Sequence, residues 1–231
     1  MKIALLGYGR MGKTIEKLAT ERGHSIVKTI DQNDDYNFND ADVAIDFSVP
    51  NAAVSNITAC LNAGIPVVSG TTGWLENYEK MVTLCKEKEG AFIYASNFSV
   101  GVNIFFELNK KLAKMMKNLE DYDVSMTEVH HIHKLDAPSG TAITLAEGIL
   151  EHSAKSDWVL ENQEEGKITI NAVREGEVPG THNIQYKSAV DEITIEHKAH
   201  NRNGFALGAV IAAEWLQDKT GIFSMKDVLG L

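Results

Sequence analysis

Long apolar runs, paired cysteines and a surplus of positive charge are all missing from this chain of 231 residues, and each absence excludes a class of protein. The apolar run at the N-terminus lasts only from Ile3 to Leu6 before a glycine-rich turn. That is too short for a signal-sequence core, and no stretch approaches the roughly 20 residues of a membrane span. A soluble, cytoplasmic protein is expected. Cys60 and Cys85 stand apart, in segments of helical apolar spacing. They form neither a metal-ligand pair nor a secreted disulfide framework, and read as small buried thiols in a reducing compartment. With 22 Lys and Arg against 32 Asp and Glu the net charge is −10, and no basic block offers the counterion-releasing surface that nucleic acid requires. An anionic ligand must instead be held by local devices such as helix N-termini.

What the chain does have is two grammars in succession. From residue 1 to about 99, short apolar runs alternate with amphipathic stretches, the pattern of βαβ units on a parallel sheet. Strands are expected at Lys2 to Leu6, Ser25 to Ile30, Val43 to Phe47, Pro66 to Ser69 and Ala91 to Ala95, and helices at Arg10 to Arg22, Ala52 to Ala63 and Leu75 to Glu89. Gly23, Gly64 and Gly90 fall where left-handed residues would end those helices. After Asn97 a long helical pattern, Val102 to Lys117, leads to a strand at Asp123 to Val129 and a helix at Gly140 to His152. Strand-like segments then follow without crossover helices: Ile168 to Val173, Asn183 to Ser188 and Glu192 to His197. They imply an open antiparallel or mixed sheet, one face packed by helices and the other free to meet a partner. The nearly all-apolar helix Phe205 to Leu216 has no polar face and must be buried, and packing it on the first lobe would make that lobe discontinuous. The expected fold is therefore α/β: a Rossmann-type nucleotide domain (1–99 with 202–231) plus a smaller α+β domain with an open mixed sheet (100–201).

The first lobe carries a dinucleotide pattern. Gly7-Tyr8-Gly9-Arg10-Met11-Gly12 follows a strand and opens a helix, the context that gives such spacing meaning. Gly7 permits the tight turn, Gly9 leaves room for pyrophosphate, and Gly12 lets helix and strand approach. Asp31, at the end of the second strand, is placed to accept the ribose hydroxyls of adenosine. Gln32, Asn33, Asp34 and Asp35 follow it, with no Arg or Lys for a 2′-phosphate, so NADH should be preferred over NADPH. Gly70-Thr71-Thr72 and Ala95-Ser96-Asn97-Phe98 lie at further strand ends, where small hydroxyl and amide residues suit nicotinamide ribose and carboxamide, or merely cap the next helices.

The second lobe carries Glu128-Val129-His130-His131-Ile132-His133-Lys134, then Asp136-Ala137-Pro138-Ser139-Gly140-Thr141-Ala142. In an extended chain His131 and His133 point one way and His130 the other, so one small ligand meets all three only if the chain bends. Zinc on His131 and His133 would need further ligands that no cysteine supplies, and no metal is expected. Ser139 is placed to cap a helix whose Gly140 and Thr141 amides face an anion. Histidines, a lysine and helix-end amides together suggest a carboxylate-bearing substrate.

These motifs resemble the dihydrodipicolinate (4-hydroxy-tetrahydrodipicolinate) reductase family. The likeness runs along the whole chain, through Val43-Ala44-Ile45-Asp46-Phe47-Ser48, Gly70-Thr71-Thr72-Gly73, Ser96 to Asn103, Arg174-Glu175-Gly176-Glu177-Val178-Pro179-Gly180 with His182, and Phe205 to Ala209. The resemblance implies an NAD(P)H-dependent reductase of lysine and diaminopimelate biosynthesis, delivering hydride to C4 of a cyclic dicarboxylic imine. It implies His130 as proton donor, His131 as a substrate ligand, Lys134 as a second donor or carboxylate ligand, and Gly140 and Thr141 as carboxylate ligands. It also implies cofactor contacts at Gly7 to Gly12, Asp31, Gly70 to Thr72 and Ala95 to Phe98, and a homotetramer joined through the second domain. Many relatives have a longer glycine turn and a basic residue after the ribose-binding acid; here the turn is the shorter form and position 32 is Gln. The rival readings are another Rossmann dehydrogenase acting on an amino acid or sugar, and a non-catalytic NADH sensor.

Overall fold

The computed structural model describes residues 1–31, 34–38, 40–201 and 203–231. Gln32 and Asn33, on which the cofactor-preference argument partly rests, and the proposed boundary at 202 lie outside them. In chain order the elements are β1 (Lys2–Leu6), α1 (Arg10–Glu21), β2 (Ser25–Ile30), β3 (Val43–Asp46), α2 (Pro50–Asn62), β4 (Val67–Ser69), α3 (Tyr78–Glu87), β5 (Ala91–Tyr94) and α4 (Val100–Met116). There follow β6 (Asp123–His130), α5 (Gly140–Leu150), β7 (Asp157–Leu160), β8 (Lys167–Arg174), β9 (Thr181–Lys187), β10 (Glu192–Lys198), α6 (Asn203–Leu216), β11 (Gly221–Phe223) and α7 (Met225–Leu229). Two compact units emerge, Met1–Asn103 with Asn203–Leu231, and Ile104–Arg202.

The first unit is a parallel sheet in the order β11-β5-β4-β3-β1-β2. Its strands are apolar on both faces because helices cover both, as parallel sheets require. On one face Ile3, Leu5, Val43 and Ile45 pack with Ile15 of α1 and Ala209, Val210 and Ala213 of α6. On the other, Ala4, Leu6, Ala44 and Val67 pack with Ile57 and Leu61 of α2 and Met81 of α3. The apolar helix expected from Phe205 is α6, buried through Ala206, Gly208, Ala209, Ala212 and Leu216. Its polar exception, Glu214, takes a bidentate pair from Arg22 (2.8 and 2.7 Å) and lies 2.7 Å from His24 Nε2, tying α6 to the end of α1.

The second unit is a mixed sheet in the order β10-β9-β6-β8-β7, parallel at β6/β8 and β7/β8 and antiparallel at β6/β9 and β9/β10. Strict alternation in β6 sends Val124 and Met126 toward α4 and α5, where Phe105, Leu145, Ala146 and Ile149 close the core with Ile168, Ile170 and Ile184. The opposite face is polar: Asp123, Ser125, Thr169, Asn171, Gln185 and Lys187 line a shallow concavity of about 430 Å³.

Several expectations are corrected. The helix expected at Leu75 to Glu89 is a 3₁₀ turn, Leu75–Asn77, followed by α3. The left-handed residue after α3 is Glu89 (φ 51°), not Gly90. At Gly90 a Cβ would stand 2.9 Å from Leu61 Cδ2, so the position is tight rather than left-handed. β7 and β11, of 4 and 3 residues, are too short to show periodicity and were not anticipated. No helix among the described residues is long and apolar enough to cross a membrane.

Candidate functional site

The first unit presents a cleft of about 490 Å³ at the carboxyl ends of β1, β2 and β3, lined in part by Gly7, Gly9, Asp31, Tyr36, Ser48 and Asn56. Its floor is set by backbone contacts that only glycine allows. Gly7 has φ 87°, and a Cβ there would stand 2.4 Å from the Phe47 carbonyl oxygen; one on Gly12 would stand 2.3 Å from that of Gly7. At Gly9 a Cβ would meet nothing within 4 Å, so this position opens outward. Gly9 is the N-cap of α1 and no side chain caps the helix, leaving amides to an anion. Between them, Tyr8 donates its hydroxyl to Glu16, while Arg10 is exposed and Met11 packs partly on the core. Asp31 is exposed, and its backbone N–H donates to Asp34 Oδ2 at 2.8 Å.

The remaining loops expected to meet the cofactor are held from beneath. Asp46, fully buried, accepts from Ser48 Oγ (2.7 Å), Asn56 Nδ2 (2.8 Å) and Ser69 Oγ (2.8 Å). Burial pushes its carboxyl up, against these hydrogen bonds. Ser48 N–H donates to Thr71 Oγ1 at 2.9 Å, so the Thr71 hydroxyl joins two loops, whereas Thr72 is exposed. Gly70 is pinned under Phe47, whose ring would lie 2.2 Å from a Cβ. Beyond β5, Ala95 and Asn97 are half-buried, Ser96 exposed and Phe98 buried against Phe47. Asn103 Nδ2 donates to the Asn97 and Ser99 carbonyls, each at 2.9 Å, fixing this turn. Sequence reasoning quoted Asp46 within a motif without seeing its anchoring part, because its partners come from three separate elements.

In the second unit β6 ends at His130, and the chain then turns, with Lys134 N–H donating to the His131 carbonyl at 3.1 Å. The extended run considered for His130 to His133 is thus broken after its first histidine. His131 is half-buried with its ring 6.1 Å from that of His133, which is exposed and lies 3.4 Å from Glu177. Lys134 pairs with both oxygens of Asp136 (2.8 and 2.7 Å), and this bond holds the Asp136 carboxyl below its usual range. Ser139 caps α5, its Oγ accepting from Ala142 N–H at 3.2 Å. Gly140 is exposed with open space beside its Cα, and Thr141 is half-buried.

Beneath this loop sits a buried polar network. Glu128, fully buried, accepts on Oε1 from Ser139 N–H (3.0 Å) and Arg174 Nη2 (3.1 Å), while its Oε2 lies 3.3 Å from His130 Nδ1 and 3.7 Å from His182 Nε2. Arg174 also donates to the carbonyls of Asp136 (2.6 Å) and Lys134 (3.3 Å), so one guanidinium clamps the loop to β6 and β8. Burial raises the Glu128 carboxyl, but His130, the Ser139 amide and Arg174 outweigh it and bring it down to about 2. His182 Nε2 lies 3.1 Å from Ser139 Oγ; burial, then the neighbouring His130, lowers this imidazole to about 4 despite Glu128. Donor atoms of Glu128, His130 and His182 fall within 4.8 Å of one another, a grouping that metal ligands share and that excludes the His131 and His133 weighed from the sequence. Here Arg174 already supplies a positive partner to the carboxylate.

Comparison with known proteins follows the same two halves. The family model described as "Dihydrodipicolinate reductase, N-terminus" matches residues 1–98, and that described as "Dihydrodipicolinate reductase, C-terminus" matches 101–229. A 4-hydroxy-tetrahydrodipicolinate reductase of Christiangramia forsetii is 60% identical, over 99% of this chain and 98% of the relative. One from Methanosarcina acetivorans is 41% identical, over 83% of this chain and 74% of the relative. Among solved structures, a dipicolinate-bound dihydrodipicolinate reductase from a Paenisporosarcina species shares the fold with a TM-score of 0.81 at 22% identity, over 97% of each chain.

Proposed function

The chain belongs to the dihydrodipicolinate reductase family, and from that premise we propose how its residues divide the work of the reaction. The activity is NAD(P)H-dependent reduction of 4-hydroxy-tetrahydrodipicolinate to tetrahydrodipicolinate, a step of lysine and diaminopimelate biosynthesis. The first unit holds the nucleotide: Gly7 to Gly12 and the uncapped start of α1 face the phosphates, Asp31 takes the adenosine ribose, and Gly70 to Thr72 with Ala95 to Phe98 face the nicotinamide end. The outward-opening Gly9 and the cleft beside it fit such a group. When bound, dihydronicotinamide supplies a hydride to C4 of the conjugated imine formed as the substrate's 4-hydroxyl leaves as water.

The second unit holds the diacid. Lys134, released from Asp136 by a substrate carboxylate, and the Gly140 and Thr141 amides at the open end of α5 bind and orient it, with His131 beside them. His130 donates the proton that quenches the electron pair the hydride leaves on the ring. The observation that carries this reading is the clamp of Arg174 and Glu128, which fixes the His130 strand end and the Lys134–Ser139 loop as one piece. NADH is the preferred nucleotide, since an acidic loop follows Asp31 and its residue 34 carboxylate faces the same cleft. The protein works in the cytoplasm as a homotetramer joined through the open polar face of the mixed sheet.

The test is consumption of NADH and of NADPH with substrate generated by the upstream synthase. Only this reductase, and neither an amino-acid or sugar dehydrogenase nor a nucleotide sensor, should turn over there. His130→Gln should lower kcat by about 10²–10⁴-fold; unchanged turnover removes His130 from the chemistry.

A further inference from the structure

We propose that Glu128 is a positioning residue for the proton donor: by facing Nδ1 of His130 it keeps a proton there, so that the transferable proton leaves from and returns to Nε2. The proposal rests on the donor role given to His130 above. It starts from the way the four corners of the Glu128 carboxylate are used. Oε1 is fully committed, to the Ser139 amide and the Arg174 guanidinium, both of which only donate. Oε2 is therefore the oxygen left for histidine, 3.3 Å from His130 Nδ1, an ion-pair contact short of an aligned hydrogen bond. His182, on the antiparallel neighbour β9, is farther at 3.7 Å and already engages Ser139 Oγ.

The other nitrogen of this buried ring faces Gly180, where a Cβ would stand 3.1 Å from His130 Nε2 and 3.4 Å from Cδ2. Glycine there, in a backbone conformation (φ 154°) that side-chain-bearing residues rarely adopt, keeps a side chain off Nε2. The imidazole thus has a carboxylate beside one nitrogen and no side chain from position 180 crowding the other. The remaining charged or titratable neighbours of the cluster are Arg174 from β8, His182 from β9, His197 from β10, and Lys134 and Asp136 from the loop.

In the step itself the Nε2–H bond breaks and the proton joins the electron pair left on the substrate ring. The imidazolium becomes neutral imidazole that still carries Nδ1–H, and Nε2 is recharged from solvent. This neutral form is the one less favoured by free histidine, so a carboxylate that holds it has a readable signature.

Replacing Glu128 by Gln makes the argument sharp. The two donors on Oε1 force the amide oxygen of Gln to that side, which turns its NH₂ toward His130 Nδ1 and makes Nδ1 an acceptor. The experiment is ¹⁵N-detected NMR of the imidazoles in full-length protein at a pH where His130 is neutral, with His130→Gln identifying its signals. Wild type should show protonated Nδ1 and bare Nε2, and Glu128→Gln the reverse. In parallel, Glu128→Gln should lower kcat by about a hundredfold with substrate KM within about twofold, a split that general loosening would not give. A wild-type spectrum with bare His130 Nδ1 overturns the proposal whatever Glu128→Gln shows. Protonated Nδ1 together with full turnover of His130→Gln instead overturns the donor role beneath it, so the two failures are distinguishable.

Discussion

Replacing Gly208 by Ala is the most direct test of how the loop after β5 is held. Gly208 lies in the buried face of α6, and an added Cβ would stand 1.8 Å from the Phe98 carbonyl oxygen and 2.7 Å from its carbon. Both are backbone atoms, so no rotamer relieves the clash. Reaching even a tight contact of 3.0 Å would move helix and loop apart by about 1.2 Å, the difference between 3.0 and 1.8. Overpacking of this kind costs about 3 kcal/mol when it cannot be relaxed, while Ala gains about 1 kcal/mol over Gly in helix propensity. The net loss, about 2 kcal/mol, corresponds to a fall in Tm of roughly 4–8 °C for a chain of this size. Calorimetry reads the first effect, and a raised KM for NADH reads displacement of the Ala95–Phe98 turn. Gly204→Ala is the control on the same helix, because its Cβ would meet Ser99 Oγ at an ordinary 3.4 Å. If Gly208→Ala melts at or above wild type, α6 does not press on the Phe98 carbonyl and the reasoning fails.

Stability should also respond to acid in two separate windows. His182 titrates near 4 in the folded chain against 6.5 unfolded, so its contribution is complete above 6.5 and declines by about 3 kcal/mol as pH falls toward 4, where both states bind the proton. The Glu128 carboxyl, lowered from 4.5 to about 2, gives stability that is present above 4.5 and is lost as pH falls through about 2. Denaturant melts across pH 4–7 should flatten in His182→Asn, and an unchanged slope there would assign the decline to other groups. Gln32→Arg should raise kcat/KM for NADPH relative to NADH, and an unaltered ratio would mean that position 32 does not meet the ribose.

Much of the first unit was legible because its signals are local. β1 and β2 are bounded in sequence where the structure bounds them, since the turn at Gly7 ends the first apolar run and a left-handed Gly23 precedes the second. The apolar face of the segment from Leu75 continues through a 3₁₀ turn into α3, and periodicity does not distinguish the two. β11 escaped notice because three residues in a parallel edge strand carry no alternation of their own. The same division holds for the site. The glycine turn, Asp31 and the His130 to Thr141 stretch are contiguous motifs with a recognisable chemistry. The network beneath them is not: Glu128, Arg174 and His182 are separated by 46 and 54 positions from the first, and only the pairing of β6 with β8 and β9 brings them together. Register opposes Glu128 to Ala172 and His182, a fact that no reading of either segment alone contains.

The return of α6 and β11 to the parallel sheet bears on how the protein is made. During synthesis β1 to β5 leave the ribosome first, yet the face formed by Ile3, Leu5, Val43 and Ile45 stays without α6 until residues beyond 203 have been translated. The intervening unit, with its contiguous chain and its own core, is free to fold in the meantime. The nascent chain therefore carries an uncovered greasy surface until α6 is made, and chaperone demand should fall once Asn203–Leu216 has been released.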